Sequence, residues 1–293
     1  MIRGLKRILN KGLKLPLQFL RRRNAKGTLT RLTSHKNPEL KSIGIALQES
    51  LDHNLSLQEQ QAITLIEERR SFLLNSDKEI TVVDYGAGSP NSKRTKEEME
   101  RGVQLTALVS KITTASKPKF WAIILFKVIR KLGPLSCVEL GSCVGISASY
   151  QAAALNINGK GAIVTLEGSD EIADIAKETF ENLGVKNASV VTGPFHETLG
   201  DVFETSKPID FFFNDGHHDH DAVIRYFNQV IPYLSDTAVI VFDDISWSPG
   251  MRKAWTEIEK DKRVFASINL HKIGIALINK KALSTKERFE ISL

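Results

Sequence analysis

Residues 136–150 read SCVELGSCVGISASY. A short apolar, β-branched run carrying Glu139 leads into a turn with Gly141 and Gly145, and an amphipathic stretch begins at about Gly145. A second run, AIVTLEG, follows and ends on Glu167. Strand, glycine turn, helix and a second strand ending in an acid about 20 residues on is the order in which an α/β fold receives a nucleotide-type cofactor, because the turn admits the ligand and the acid meets a ribose. The stretch TVVDYGAGSPNSKRT (81–95) begins alike but does not continue so: Pro90 interrupts it, polar residues Asn91 to Thr95 follow, and the next element reads as a helix with no strand behind it. It reads as a tight glycine turn in an N-terminal cap, or as part of a lid over the site.

The rhythm extends in both directions. Runs at 136–140, 162–166, 188–192, 209–214 and 237–242 alternate with amphipathic stretches at about 145–157, 170–183 and 219–234, the pattern of a parallel sheet. Two further runs, VFASINL and IGIALIN, are separated only by His271 and Lys272, a link that permits an antiparallel hairpin and forbids a parallel crossover. Upstream, residues 32–134 read as helical. Ser56 with Glu59 makes a capping box before ITLIEERRSFLL, and Thr95 with Glu98 makes another before VQLTALVSKI. Pro118 marks a helix start, and Gly133 with Pro134 its end. The expectation is a seven-stranded, mostly parallel α/β sheet with a C-terminal antiparallel hairpin over 116–293, behind a helical cap over 32–115.

The longest apolar run, FWAIILFKVI from Phe120, is broken by Lys127 and is shorter than the roughly 20 residues of a membrane span, so it reads as a buried helix. The two cysteines, Cys137 and Cys143, have neither disulfide-framework nor thiolate-metal spacing, which suits the cytoplasm. The net charge of +6 is concentrated: residues 1–31 hold ten of the forty Lys and Arg and none of the thirty-four acids. The rest is net acidic, so no nucleic-acid partner is expected. In the arm, Ile2, Leu5, Ile8 and Leu9 recur at helical spacing beside the bases, which suits peripheral contact with an anionic membrane surface. A targeting peptide or a solubilising tail would read alike, and a secretory signal is absent because Lys and Arg interrupt every apolar run.

The form E-L-G-x-x-x-G-x-S, Glu139 to Ser147, resembles the first motif of the class I S-adenosylmethionine-dependent methyltransferases, and among them the catechol O-methyltransferase-like and macrocin O-methyltransferase-like group. The resemblance spans about 116–280. It implies a Rossmann-like fold with S-adenosyl-L-methionine as cofactor. Carried over position by position from Glu139 on, Gly141 admits the methionine part of the cofactor and Gly145 opens the helix. Ser142 and Ser147 bond its carboxylate. Glu167, followed by Gly168, accepts the ribose hydroxyls, and Phe195 and His196 in TGPFHE fall where adenine is contacted. Without the resemblance, Glu167 is an exposed acid after a strand, and Phe195 a core residue.

The fourth strand ends in FFFNDGHHDHD and the fifth in VIVFDDISWS. Ligands gather at the carboxyl ends of such strands, so Asp215, Asp243 and Asp244 should meet, and three facing acids call for a hard cation such as Mg²⁺ or another divalent ion. The metal-dependent members of the group place acids at these positions. Of the clustered histidines, adjacent residues rarely converge on one ion, so a zinc site at His217, His218 and His220 is not favoured. His218, three residues after Asp215, is the candidate general base, at a position where the group carries Lys or His, and His217 is the fallback. Trp247 could line the acceptor pocket, and Ser116 and Lys117 fall where a lid residue could sit. The reaction implied is methyl transfer to a hydroxyl of a small molecule or glycoside, a diol binding the ion through both oxygens while His218, beside Asp215, removes the proton. A homodimer through the cap is compatible with this. Left open are a metal-independent N- or carboxyl-methyltransferase, a nicotinamide-dependent oxidoreductase, which leaves Asp243 and Asp244 unexplained, and a non-catalytic module brought to membranes by its arm.

Overall fold

The computed structural model describes residues 25–89, 92–281 and 286–293. The membrane-surface reading of the arm falls, up to residue 24, outside the described residues. Residues 25–33 are helical, and Ala25, Leu29 and Leu32 are buried in the core. Helix Pro38–Leu51 follows, capped by the Asn37 side chain, which accepts the Leu40 N–H at 2.8 Å. Helix Leu57–Leu74 starts at the expected Ser56–Glu59 capping box.

The cap is not all helical. Strand Glu79–Asp84 pairs antiparallel with Val103–Leu108, Glu79 opposite Leu108 and Asp84 opposite Val103. A two-residue ladder, Gly88–Ser89 with Ser92–Lys93, lies within the same excursion. The Thr95–Glu98 box does start a helix, Lys96–Arg101, but Gly102 at φ 73° stops it there. VQLTAL, expected to be helical, therefore runs on as the strand Val103–Leu108: its apolar positions suit either period, and pairing with EITVVD satisfies its backbone. Short helix Val109–Thr113 leads to helix Lys119–Leu132, which begins after Pro118 and ends at left-handed Gly133, as expected. Its Lys127, the charge inside the apolar run, is buried and donates to Glu49 at 3.0 Å and Glu59 at 2.7 Å, fastening two cap helices to this one.

Among the described residues the central sheet has eight strands: β1 (Ser136–Leu140), β2 (Ala162–Glu167), β3 (Ala188–Thr192), β4 (Ile209–Asn214), β5 (Leu234–Phe242), β6 (Val264–Asn269), β7 (Gly274–Asn279) and β8 (Glu287–Glu290). Their order is β8-β6-β7-β5-β4-β1-β2-β3. All pairs are parallel except β6–β7 and β7–β5, the expected hairpin. The seven expected strands all form; β8, four residues long and parallel to β6, is additional. Both faces of the sheet are covered. Phe211 and Phe213 of β4 point into the cluster shared with the cap, while Phe212 points into the opposite one with Phe203, Phe227 and Trp255. Chain order reverses between β1 and β4, so the loops leaving these strands open a crevice at their carboxyl ends. Among the described residues no helix is long and apolar enough to cross a membrane.

Candidate active site

The turn after β1 is pinned to the end of β2, where the Gly141 and Ser142 N–H groups both donate to the Leu166 carbonyl, at 2.9 and 3.0 Å. Gly141 adopts φ 86°, and a Cβ there would lie 2.6 Å from the Gly216 Cα. The turns after β1 and β4 thus touch backbone to backbone at the crevice, and only glycine allows it. Glu167, ending β2, accepts the Cys143 N–H at 2.9 Å and the Ser169 N–H at 3.2 Å. Burial pushes its carboxyl up to about 7 against the pull of these N–H groups.

A cleft of about 880 Å³ opens over these turns, and its wall includes Gly141, Glu167, Gly168, Phe195, His196, Asp215, His218, Asp243 and Asp244 from the expected set. Glu139, Ser142, Gly145 and Ser147 are not on that wall. Glu139 is fully buried below the turn, where Gln151 Nε2 donates to it at 2.8 Å and Thr165 Oγ1 at 2.7 Å. It joins helix Ile146–Ile157 to β1 and β2, and burial pushes its carboxyl up to about 7. Ser142 and Ser147 are buried too, and the Ser142 hydroxyl has no partner. Phe195 packs its ring on Gly216, where a Cβ would lie 2.4 Å away, and meets Tyr226 edge-on at 5.9 Å. The His196 side chain is 47% exposed at the rim.

The acids do converge, around a residue expected elsewhere. The Lys117 ammonium, read as a lid candidate, lies at the floor of the cleft, donating to Asp215 Oδ1 at 3.0 Å and pairing still more closely with Asp243. Its side chain is 4% exposed, and although burial alone would lower its affinity for a proton, the two aspartates raise it. Burial and the neighbouring Asp243 push Asp215 well up; burial would raise Asp243 too, but Lys117 holds it below the usual carboxylate range. Asp244, expected as a third ligand, turns aside at φ 49° and pairs with Lys272 at 3.3 Å.

One oxygen of Asp215, one of Asp243 and one nitrogen of His218 lie within 4.8 Å of one another, and these donor types suit a divalent ion. The arrangement does not fit one, because the ammonium already bridges the two carboxylates and would face the ion as a like charge.

His218 Nε2 is buried without a hydrogen-bond partner, 3.9 Å from both Asp215 and Asp244, with its ring 5.7 Å from that of Trp247. Burial lowers its pKa, which favours the neutral imidazole, and the residue lines the cleft. His217 differs: its Nδ1 accepts the Asp219 N–H at 3.2 Å, and burial lowers its pKa to about 4, so it braces the loop. His220 pairs with Asp221 and Glu257, away from the other two.

Asp84, Tyr85 and Gly86 of the first glycine stretch also line the cleft. Arg94 holds that turn through the Asp84 and Gly86 carbonyls, each at 3.0 Å, and the Asp84 carboxylate at 2.8 Å. The role of Lys117 carries no motif; the only signal was that two facing aspartates require a cation.

Residues 138–245 match a family model described as a methyltransferase domain. Among solved structures the chain is similar to the O-methyltransferase from Bacillus cereus in complex with SAH, at 22% identity over 58% of this chain and 86% of that one, TM-score 0.50. It is similar to the SAH-bound methyltransferase PaMTH1 from Podospora anserina, at 18% identity over 58% and 82%, TM-score 0.50. Cofactor-bound Rv0187 from MTB aligns over 85% of this chain and 100% of that one, at 17% identity and TM-score 0.50. At these identities the likeness is one of fold. Among curated proteins the sequence finds no match. The glycine turn at the switch point and the family model agree: over residues 138–245 the chain matches a methyltransferase domain, and its fold is shared with SAH-bound methyltransferases.

Proposed function

We propose that the protein methylates a hydroxyl oxygen of a small molecule or glycoside, with S-adenosylmethionine as donor and His218 as general base. One observation carries this reading: the Gly141 turn and the Asp215–His218 loop touch and wall the same cleft, so a donor over the first lies beside a base on the second. When bound, S-adenosylmethionine supplies a methyl group on sulfonium, which the acceptor oxygen takes as the carbon–sulfur pair returns to sulfur. Glu167 would accept the ribose hydroxyls, and Phe195 and His196 would border the adenine; all three line the cleft. The neutral His218 Nε2 takes the hydroxyl proton as the oxygen attacks and becomes imidazolium beside Asp215 and Asp244. Asp215, paired with Lys117, anchors the loop that carries His218.

Divalent-ion assistance, which the resemblance implies at Asp215, Asp243 and Asp244, would acidify the acceptor hydroxyl. With Lys117 between the carboxylates, no step here runs through a metal.

The test is His218→Ala with calorimetry of S-adenosylhomocysteine and transfer of labelled methyl to a panel of catechols, phenols and glycosides. Affinity should stay within about twofold while turnover falls by about 10²–10⁴-fold. Unchanged turnover would remove His218 from the chemistry, and no affinity for S-adenosylhomocysteine would remove the donor.

A further inference from the structure

Resting on the hydroxyl-methylation reading, the geometry points to Lys117 as a built-in replacement for the divalent cation, so that transfer proceeds without metal and the acceptor needs only one hydroxyl. The ammonium lies between Asp215 and Asp243 and 5.5 Å over the Phe213 ring, enclosed at 4% exposure. A divalent ion held by the same oxygens at about 2–2.6 Å would fill the space that Nζ fills.

The lysine is anchored as well as paired. Arg70, on helix Leu57–Leu74, donates to the Lys117 carbonyl at 2.9 Å, and Glu67 of that helix holds Arg70 at 3.0 Å. Tyr150 on the core side donates to the same Glu67 oxygen at 2.7 Å. The cap therefore fixes the backbone from which the ammonium reaches down. Swinging it out would leave two buried acids without their cation. The remaining acid, Asp244, has its own lysine, Lys272, so each of the three aspartates expected to hold a metal already meets an ammonium.

A metal that selects its acceptor through two oxygens favours vicinal diols. A tethered ammonium makes one charge-assisted contact with the oxygen that loses its proton, and a second hydroxyl adds nothing to it. Stabilising that developing charge is the electrostatic service a bound ion would otherwise supply.

Manganese binding to the metal-stripped full chain, followed by electron paramagnetic resonance, tests this without reference to activity. The unsubstituted protein should leave Mn²⁺ free at millimolar concentration. Lys117→Met should bind one Mn²⁺ per chain, and adding Asp243→Asn should abolish that binding. If the unsubstituted protein binds one Mn²⁺ that Asp243→Asn removes, the proposal is overturned; so it is if folded Lys117→Met binds none. Should Lys117→Met not fold, the comparison of the unsubstituted chain with Asp243→Asn decides alone, absence of Mn²⁺ from the former upholding it. Failure of the methylation reading would show separately, as absent affinity for S-adenosylhomocysteine.

Discussion

The Cys143 backbone N–H sits 2.9 Å from Glu167 Oε2, so the carboxylate that ends β2 is tied to the turn that follows β1. It is held ready for a diol, but burial pushes its proton affinity up to about 7. Only the ionised form accepts two hydroxyls.

Affinity for S-adenosylhomocysteine should therefore rise as the pH passes upward through about 7, the value to which Glu167 is pushed. Glu167→Gln should weaken binding by about 10- to 100-fold, the scale of hydrogen bonds to a charged group, and flatten that pH profile. Calorimetry across the range checks both, and an undiminished slope in the variant would assign the titration elsewhere.

Gly141→Ala places a methyl 2.6 Å from the Gly216 Cα, against backbone that has no side chain to move. Stability should fall by about 1–3 kcal/mol, and cofactor affinity should fall with it because the two turns part. Gly200→Ala, where nothing lies within 4 Å, is the control and should leave the melting temperature unchanged or higher. Equal effects of the two would sink the close-contact argument.

Glu139 is fully buried, and its carboxyl, ordinarily near 4.5, is pushed up to about 7 by burial. The folded state holds this proton longer than the unfolded state, so its contribution lowers stability as pH rises from about 4.5 to about 7 and is level above. At about 1.4 kcal/mol per tenfold change in proton affinity, the decline is of the order of 3 kcal/mol. Urea unfolding of Glu139→Gln should show a shallower slope over that window than the unsubstituted protein. Parallel slopes would place the ionised form in the fold at acid pH.

Asp244→Asn removes a half-exposed pairing with Lys272 and leaves a residue that tolerates the positive φ of that position. Turnover and stability should change by less than about fivefold and about 1 kcal/mol. Asp243→Asn, beside the buried ammonium, should cost more than tenfold in turnover. Steady-state rates of the two variants side by side check this order.

The core sheet was legible because its strands are β-branched runs at regular intervals, and because the short link around His271 and Lys272 allows only a hairpin at β6–β7. The short β8 was not: ERFE carries three charges, with only Phe289 turned inward. VQLTAL misled because its partner lies some twenty residues upstream, and local periodicity does not register a distant edge. The meeting of Asp215 and Asp243 followed from topology alone, since strand ends at a switch point must converge. Glu139 stood in the same motif as the turn glycines, but a strand buried on both faces does not disclose which side chain looks into the crevice. Two facing acids announce a missing positive charge. Whether it arrives from solution or from another part of the chain depends on packing, and Lys117 supplies it here.

The buried Lys127 carries a consequence for how this enzyme can be dissected or inherited. A chain begun at residue 116, where the resemblance to other methyltransferases sets in, would retain that ammonium on helix Lys119–Leu132 and discard Glu49 and Glu59, its counterions. The catalytic half is consequently not a portable module: it was fitted to its N-terminal partner from within, and a graft onto another cap must bring an acid to the same spot or replace the lysine.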